Sequence, residues 1–327
     1  MIIIAGIAAL ILGWSLGKNN LSNLFGTAVG TRMIPLSAAA CWAGVFIFIG
    51  AFFSSSATTS SILKISDLKT VRDIIAVTLS AIVILEFLSH FGIPASIVQT
   101  IVGSLIGWNV YHHLNIDWHS VCQLALAWLT APCLAAIISC LLMRFVYYIL
   151  HRWPVSLFNR YMLEKYGLLF MGMMAAYTLG ANNIGTITGP YLDVFNTLNS
   201  SVITFCVCLA IGIGCFMADR NVIATVGQKL FPLSPMEAMV VMVGTTVSMI
   251  CFSMQSLRLF LTTLKLPTFP LVPIPVSSVM IGAICGIALT KGGYGLRFSV
   301  LGRIIISWFL VPVASAIFCY LFLAIWR

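Results

Sequence analysis

Residues 17–32 read GKNNLSNLFGTAVGTR and residues 180–190 read GANNIGTITGP. Each sets glycine, two adjacent asparagines and further small polar residues inside an apolar stretch. Amides and hydroxyls in such places do the chemistry of recognition. They donate and accept hydrogen bonds, and neutral donors in a dry site can hold an oxyanion. The first stretch offers Lys18, Asn19, Asn20 and Asn23, and the second Asn182, Asn183 and Thr186. PASIVQTIVGSLIG (94–107) adds Ser96 and Gln99, and PIPVSSVMIGAICG (273–286) adds Ser277 and Ser278. The same residues have a structural reading, as helix caps and as small polar contacts between packed helices. Glu86 and His90 stand one helical turn apart and could pass a proton or simply pair near an interface. No nucleophile–base pair, metal-ligand spacing, nucleotide loop or nucleic-acid module accompanies them. The sequence therefore argues against an enzyme and implies no cofactor and no metal. The ten cysteines lie singly in apolar runs and read as free thiols.

The elements that must carry these groups follow from composition. Of 327 residues, 61% are hydrophobic and 8% charged, with a mean hydropathy of +1.08. A water-soluble domain cannot hide that much apolar surface. Of the apolar runs at 2–15, 35–63, 74–89, 121–150, 166–179, 201–217, 236–256 and 299–326, most are long enough, or nearly so, to cross about 30 Å of hydrocarbon as helix. They do not alternate, which excludes a β-barrel. An all-α polytopic protein of the lipid bilayer is predicted. Met1–Trp14 lacks the basic start and cleavage pattern of a removed leader. The net charge of +9 is mostly ordinary cytoplasmic-side charge and says little about a substrate.

The landmarks recur in order. Trp128 and Trp308 are 180 residues apart, as are Pro132 and Pro312, and the two Pro-Ser segments are offset by 179. Two repeats are predicted, 1–150 and 162–327, joined by a cytoplasmic linker at 151–161 beside Arg144, Arg152, Arg160 and Lys165. Lys64, Lys69 and Arg72 are expected inside and the segment 111–120 outside. Its counterpart, with Lys291 and Arg297, is expected inside. The repeats would then be inverted, with both chain ends outside and the site near the membrane midplane. Glycine would break the helix at each Gly-x-Asn-Asn stretch and asparagine would cap the next half-helix. The exposed N–H groups of such half-helices, broken or re-entrant, would attract an anion.

These stretches resemble the inorganic phosphate transporter (PiT) family, which includes sulfate permeases. GKNNLSNLFGTAVGTR is similar to the family's GANDVANAxGTSVGS(K/R), and GANNIGTITGP to its GANDVANAxGP. Pro94–Gly107 and, more weakly, Pro273–Gly286 look like its PVSTTHxxVGxxxG, and RNVIATVGQKLFPLSP like its RRVIETVGxKITPLxP. The resemblance implies a multi-pass transporter of the cell (inner) membrane that carries a small inorganic anion, phosphate or sulfate. The departures are systematic. The family's motif acids fall on Asn20 and Asn183, and the second-half motif Asn on Thr186. Other family glutamates fall on Ile47, Ser60 and Ala224, and its turn histidines on Gln99 and Ser278. The family uses such acids for sodium, and a hard cation prefers carboxylate oxygen, so sodium coupling is not expected here. Where the family has a small residue, this chain has Lys18, which could supply a fixed positive charge to an anion or merely reach toward an interface. A non-transporting relative, acting as an anion sensor or an assembly partner, is the second reading, and a homodimer stays open.

Overall fold

The computed structural model describes residues 1–54, 56–65, 68–153, 156–194, 200–218, 220–225 and 229–326. Asp67, Asp219 and residues 154–155 of the linker lie outside them. Among the described residues the regular elements are helices and no strand is present. The first half contains α1 (Ile2–Gly30), α2 (Leu36–Ser54), α3 (Ser56–Leu63), α4 (Val71–His90), α5 (Ile97–Tyr111) and α6 (Trp118–Arg152). The second contains α7 (Leu157–Val194), α8 (Ser200–Phe216), α9 (Arg220–Ala224), α10 (Pro235–Ser253), α11 (Gln255–Thr263), α12 (Val276–Thr290) and α13 (Phe298–Ile325). Five of them, α1, α2, α6, α10 and α13, are long and apolar enough to cross a membrane. Large apolar side chains such as Leu126, Ile137, Leu141 and Phe145 on α6, and Phe309, Val313 and Ile317 on α13, face outward. Water would make these rows a liability, whereas lipid makes them a solvent-facing surface.

Short polar side chains start several helices. Thr70 accepts from the Asp73 amide at α4, Ser96 from that of Gln99 at α5, and Asp117 from those of His119 and Ser120 at α6. At α10, Ser234 and Glu237 form a reciprocal capping box. The Ser120 hydroxyl and amide hold the Asp117 carboxyl below the usual aspartate range.

The two halves exchange partners. α1 packs on α8 and α2 on α7; α5 packs on α13 and α12 on α6. Glycine makes each approach possible. A Cβ on Gly17 would lie 2.0 Å from the Ile211 carbonyl oxygen, and one on Gly180 would lie 2.1 Å from that of Ile47. The same holds for Gly103 and Gly107 against Pro312 and Ala316, and for Gly282 and Gly286 against Pro132 and Ala136. The glycines four apart are therefore packing faces of the small-residue kind. Contacts also advance together: Gly13 meets Val207 as Gly17 meets Ile211 along α1 and α8, and Gly50 of α2 meets Tyr177 as Thr59 of α3 meets Gly185 along α7. The paired helices run in the same direction.

Two expectations are overturned. The Gly-x-Asn-Asn stretches do not break their helices, because α1 runs unbroken through Gly17–Asn20 and α7 through Gly180–Asn183. The breaks fall at the Pro-Ser segments, just before α5 and α12. These helices have 15 residues each, roughly 22 Å at 1.5 Å per residue, too short to span. The second correction concerns the segments expected on opposite sides, residues 64–72 and 111–120. The Asn109 side chain donates to the Ile65 carbonyl at 2.8 Å, and His112 Nε2 lies 3.4 Å from Asp73 Oδ1. α4 and α5 form a hairpin that returns to the face it left, because α5 cannot cross. Arg72 sits over the Trp326 ring at 5.5 Å, which brings the end of α13 to that face too. At the far end of α6, Tyr147 donates to Glu237 and Lys291 pairs with the same carboxylate at 2.6 Å. Helix also covers most of the expected linker, since α6 reaches Arg152 and α7 begins at Leu157.

Candidate functional site

A helix that starts at membrane depth leaves backbone groups before it without helical partners. The Asn pairs supply those partners. The Asn19 amide donates to the Ala95 carbonyl at 2.7 Å, just before α5. The Asn182 amide donates to the Ile274 carbonyl at 2.9 Å, just before α12, and its oxygen accepts from the Ile274 N–H at 3.3 Å. Asn19 and Asn182 thus act across the fold, stapling an unwound segment to a continuous helix. Their neighbours complete local networks. Asn20 donates to Leu16 within α1 and accepts from Asn23, and Asn183 accepts from Asn182. All five asparagines are buried.

The two hairpins differ in how their short helices begin. In the first half Ser96 caps α5, and the Gln99 amide donates to the Trp308 carbonyl at 3.4 Å. That carbonyl is free because Pro312, four residues on, has no N–H to give it. Ser96 and Gln99 are thus engaged by the protein. In the second half α12 follows Pro275 and has no side-chain cap, although Trp128 Nε1 secures the Pro273 carbonyl at 3.2 Å. The hydroxyls of Ser277 and Ser278 in its first turn have no protein partner, and neither does that of Thr186, one turn beyond Asn182. All three residues are at most 1% exposed. The free N–H groups of this first turn and the positive end of the helix dipole favour an anion. Buried hydroxyls without partners are costly unless something accepts from them.

Lys18 and Glu86 meet. Lys18 Nζ lies 2.6 Å from Glu86 Oε2, and the Ser15 hydroxyl donates to the other carboxylate oxygen. Lys18 also lies over the Trp14 ring at 5.1 Å. Lys18 is thereby neutralised within the protein, and Glu86 takes Lys18 and Ser15 as partners in place of His90. The exposed His90 ring packs edge-on against Phe91. Ser15, Lys18, Asn19 and Ser22 lie along one face of α1, and the Ser22 hydroxyl and Asn19 oxygen on it are buried without partners. Sequence reasoning missed Ser22, and it missed the equally unpartnered Thr246 and Ser248 of α10. The signal was present as hydroxyls grouped in an apolar run, GTTVS at 244–248.

The geometry defines a multi-pass helical membrane protein with a buried, acid-poor polar centre beside two hairpins. Residues 16–263 match the phosphate transporter family, and the chain belongs to that family. It is 25% identical to the "Putative phosphate permease" of Thermococcus kodakarensis over 95% of this chain and 94% of that protein. It is 29% identical to the chloroplastic inorganic phosphate transporter 2-1 of Arabidopsis thaliana over 42% of this chain and 26% of that one. A solved sodium-dependent phosphate transporter has the same fold, with a TM-score of 0.78 at 19% identity, over 99% of this chain and 98% of that structure.

Proposed function

We propose that this protein moves phosphate, or another small tetrahedral oxyanion such as sulfate, across the cell membrane without sodium. The uncapped first turn of α12 carries this reading, with the buried hydroxyls of Ser277 and Ser278 and no protein partner for either, and Thr186 on α7 adds a third such hydroxyl one turn beyond Asn182. Asn182 holds the segment that leads into that turn, and Asn183 accepts from the Asn182 amide. Asn19, Asn20 and Asn23 form the equivalent half, beside Lys18. Sodium is left out because the motif positions that carry acids in the family carry amides here, at Asn20 and Asn183.

Alternating access would follow from inverted repeats. The five residues between α1 and α2 are too few for both helices to run the same way. α7 runs with α2, so the equivalent helices α1 and α7 run in opposite directions. The face that gathers Arg152, Arg160, Lys165, Lys291 and Arg297 is the cytoplasmic one by its basic charge. The anion-sensor reading draws on the neutralised Lys18, which offers no net charge to an anion. Uptake of labelled phosphate and sulfate into proteoliposomes, with and without sodium and with and without a pH gradient, decides between them. Sodium-independent accumulation supports transport. Anion binding without uptake supports the sensor.

A further inference from the structure

The hairpin α4–α5 and the hairpin formed by α10 and α12 are closed at their bases by equivalent pairs. Asp73 is the third residue of α4 and Glu237 the third of α10, and each donates its backbone N–H to a capping hydroxyl, of Thr70 or Ser234. His112 directly follows α5 and Lys291 directly follows α12. His112 Nε2 lies 3.4 Å from Asp73 Oδ1, and Lys291 Nζ lies 2.6 Å from Glu237 Oε1. In both pairs the carboxylate side chain is buried, 8% and 3% exposed, and the basic side chain is about two-fifths exposed, 39% and 40%. The two pairs stand near opposite ends of α6, one beside its Asp117 cap and the other beside Tyr147.

We propose that these four residues are positioning residues that clasp the two hairpins, and that only the first clasp is operated by protons. Lysine keeps its charge throughout the physiological range, whereas histidine is the side chain that ordinarily gains or loses charge between pH 5 and 8. The charged imidazole pairs with Asp73 and closes the base of α4–α5. The neutral imidazole gives up that attraction, so the first clasp is closed at lower pH and loosens at higher pH. Asp73 on α4 faces the ring, and Lys64 and Lys69 line the same cup of about 560 Å³. Arg72 is turned to the Trp326 ring, and α13 brings up Tyr320 against Tyr111. The tip of this hairpin is the Ala95 carbonyl held by Asn19, so the clasp sets how freely the segment at the candidate site moves. This inference rests on the hairpin geometry and not on the identity of the transported ion.

Hydrogen exchange on the full chain in nanodiscs, at pH 6 and pH 8 and corrected for intrinsic rates, tests it. The amides at 71–76 and 106–112 should be about two- to fivefold better protected at pH 6, the effect of one partly exposed ion pair, while those at 235–240 and 286–291 should not change. His112→Lys should keep the first base protected at both pH values. Lys291→His should transfer the pH dependence to the second base. Equal protection of the parent's first base at both pH values overturns the proposal. So does a pH dependence that survives His112→Lys, or a second base that Lys291→His leaves insensitive.

Discussion

Asn182 grips Ile274 by both of its backbone polar groups, whereas Asn19 reaches only the carbonyl of Ala95. The equivalent staples are therefore unequal. Asn182→Ala leaves a buried N–H and a buried C=O without partners, which costs about 2–6 kcal/mol at 1–3 kcal/mol per orphaned group. Asn19→Ala orphans one carbonyl and costs about 1–3 kcal/mol by the same reasoning. Thermal unfolding of the two variants in one detergent should rank Asn182→Ala as the less stable. The opposite ranking would remove the staple from the account.

Lys18 and Glu86 should behave as a unit. Removing either one leaves the other charge without its partner near the middle of the membrane. The double variant Lys18→Ala with Glu86→Gln should be destabilised by less than the sum of the two single variants, with a coupling of about 1 kcal/mol because both groups are partly exposed. A double-mutant cycle on unfolding free energy reads this number, and a coupling near zero would show that the pair contributes nothing to stability.

The unpartnered hydroxyls of α12 and of Thr186 on α7 are expected to act on binding more than on folding. Ser277→Ala, Ser278→Ala and Thr186→Ala remove groups that no protein atom uses. Each should leave the melting temperature within a few degrees of the parent and raise KM for phosphate uptake by about ten- to a hundredfold, the size of one hydrogen bond to a charged group. Ser96→Ala and Gln99→Leu should show the reverse balance, since both side chains already serve the backbone. Equal effects from the two sets would argue against an anion at α12.

Alanine at Gly17 or Gly180 would meet a neighbouring backbone oxygen at 2.0–2.1 Å. The helices must then separate, at a cost of about 1–3 kcal/mol. Gly6 and Gly302 have nothing within 4 Å of the same added carbon, so their alanine variants should match the parent or slightly exceed it. Comparing the four variants by unfolding in mild denaturant separates packing from helix propensity.

Proton and sodium dependence can be read in one assay. Uptake should be unchanged when choline replaces sodium, because Asn20 and Asn183 offer no carboxylate. Asn20→Asp with Lys18→Ala restores an acid and removes the nearby cation, and some sodium stimulation should follow. Stimulation of the parent by millimolar sodium would contradict the assignment.

Local chemistry wrote much of this protein directly into its sequence. Continuous apolar runs without alternation fix helices in lipid, since in hydrocarbon each backbone polar group must find its partner within the segment. Trp128, Pro132 and Gly103 stand at nearly the same offset from Trp308, Pro312 and Gly282, and both sets of glycine and proline serve the same kind of close helix contact. The candidate asparagines and serines were legible as polar groups in apolar surroundings. Tertiary structure decided what each of them does. Gly17 and Gly180 read locally as helix breakers, yet they sit in unbroken helices, because the contacts they admit lie on α8 and α2, far away in sequence. The partner of Lys18 is Glu86, 68 residues on, and His90, one turn from Glu86, is not part of the pair. Lys64 and Lys69 share a face with His112 because α5 is too short to cross, and charge counting along the chain cannot register a hairpin that turns back at membrane depth. Periodicity and composition report what each segment must bury, and only the packed fold determines which atoms bury it.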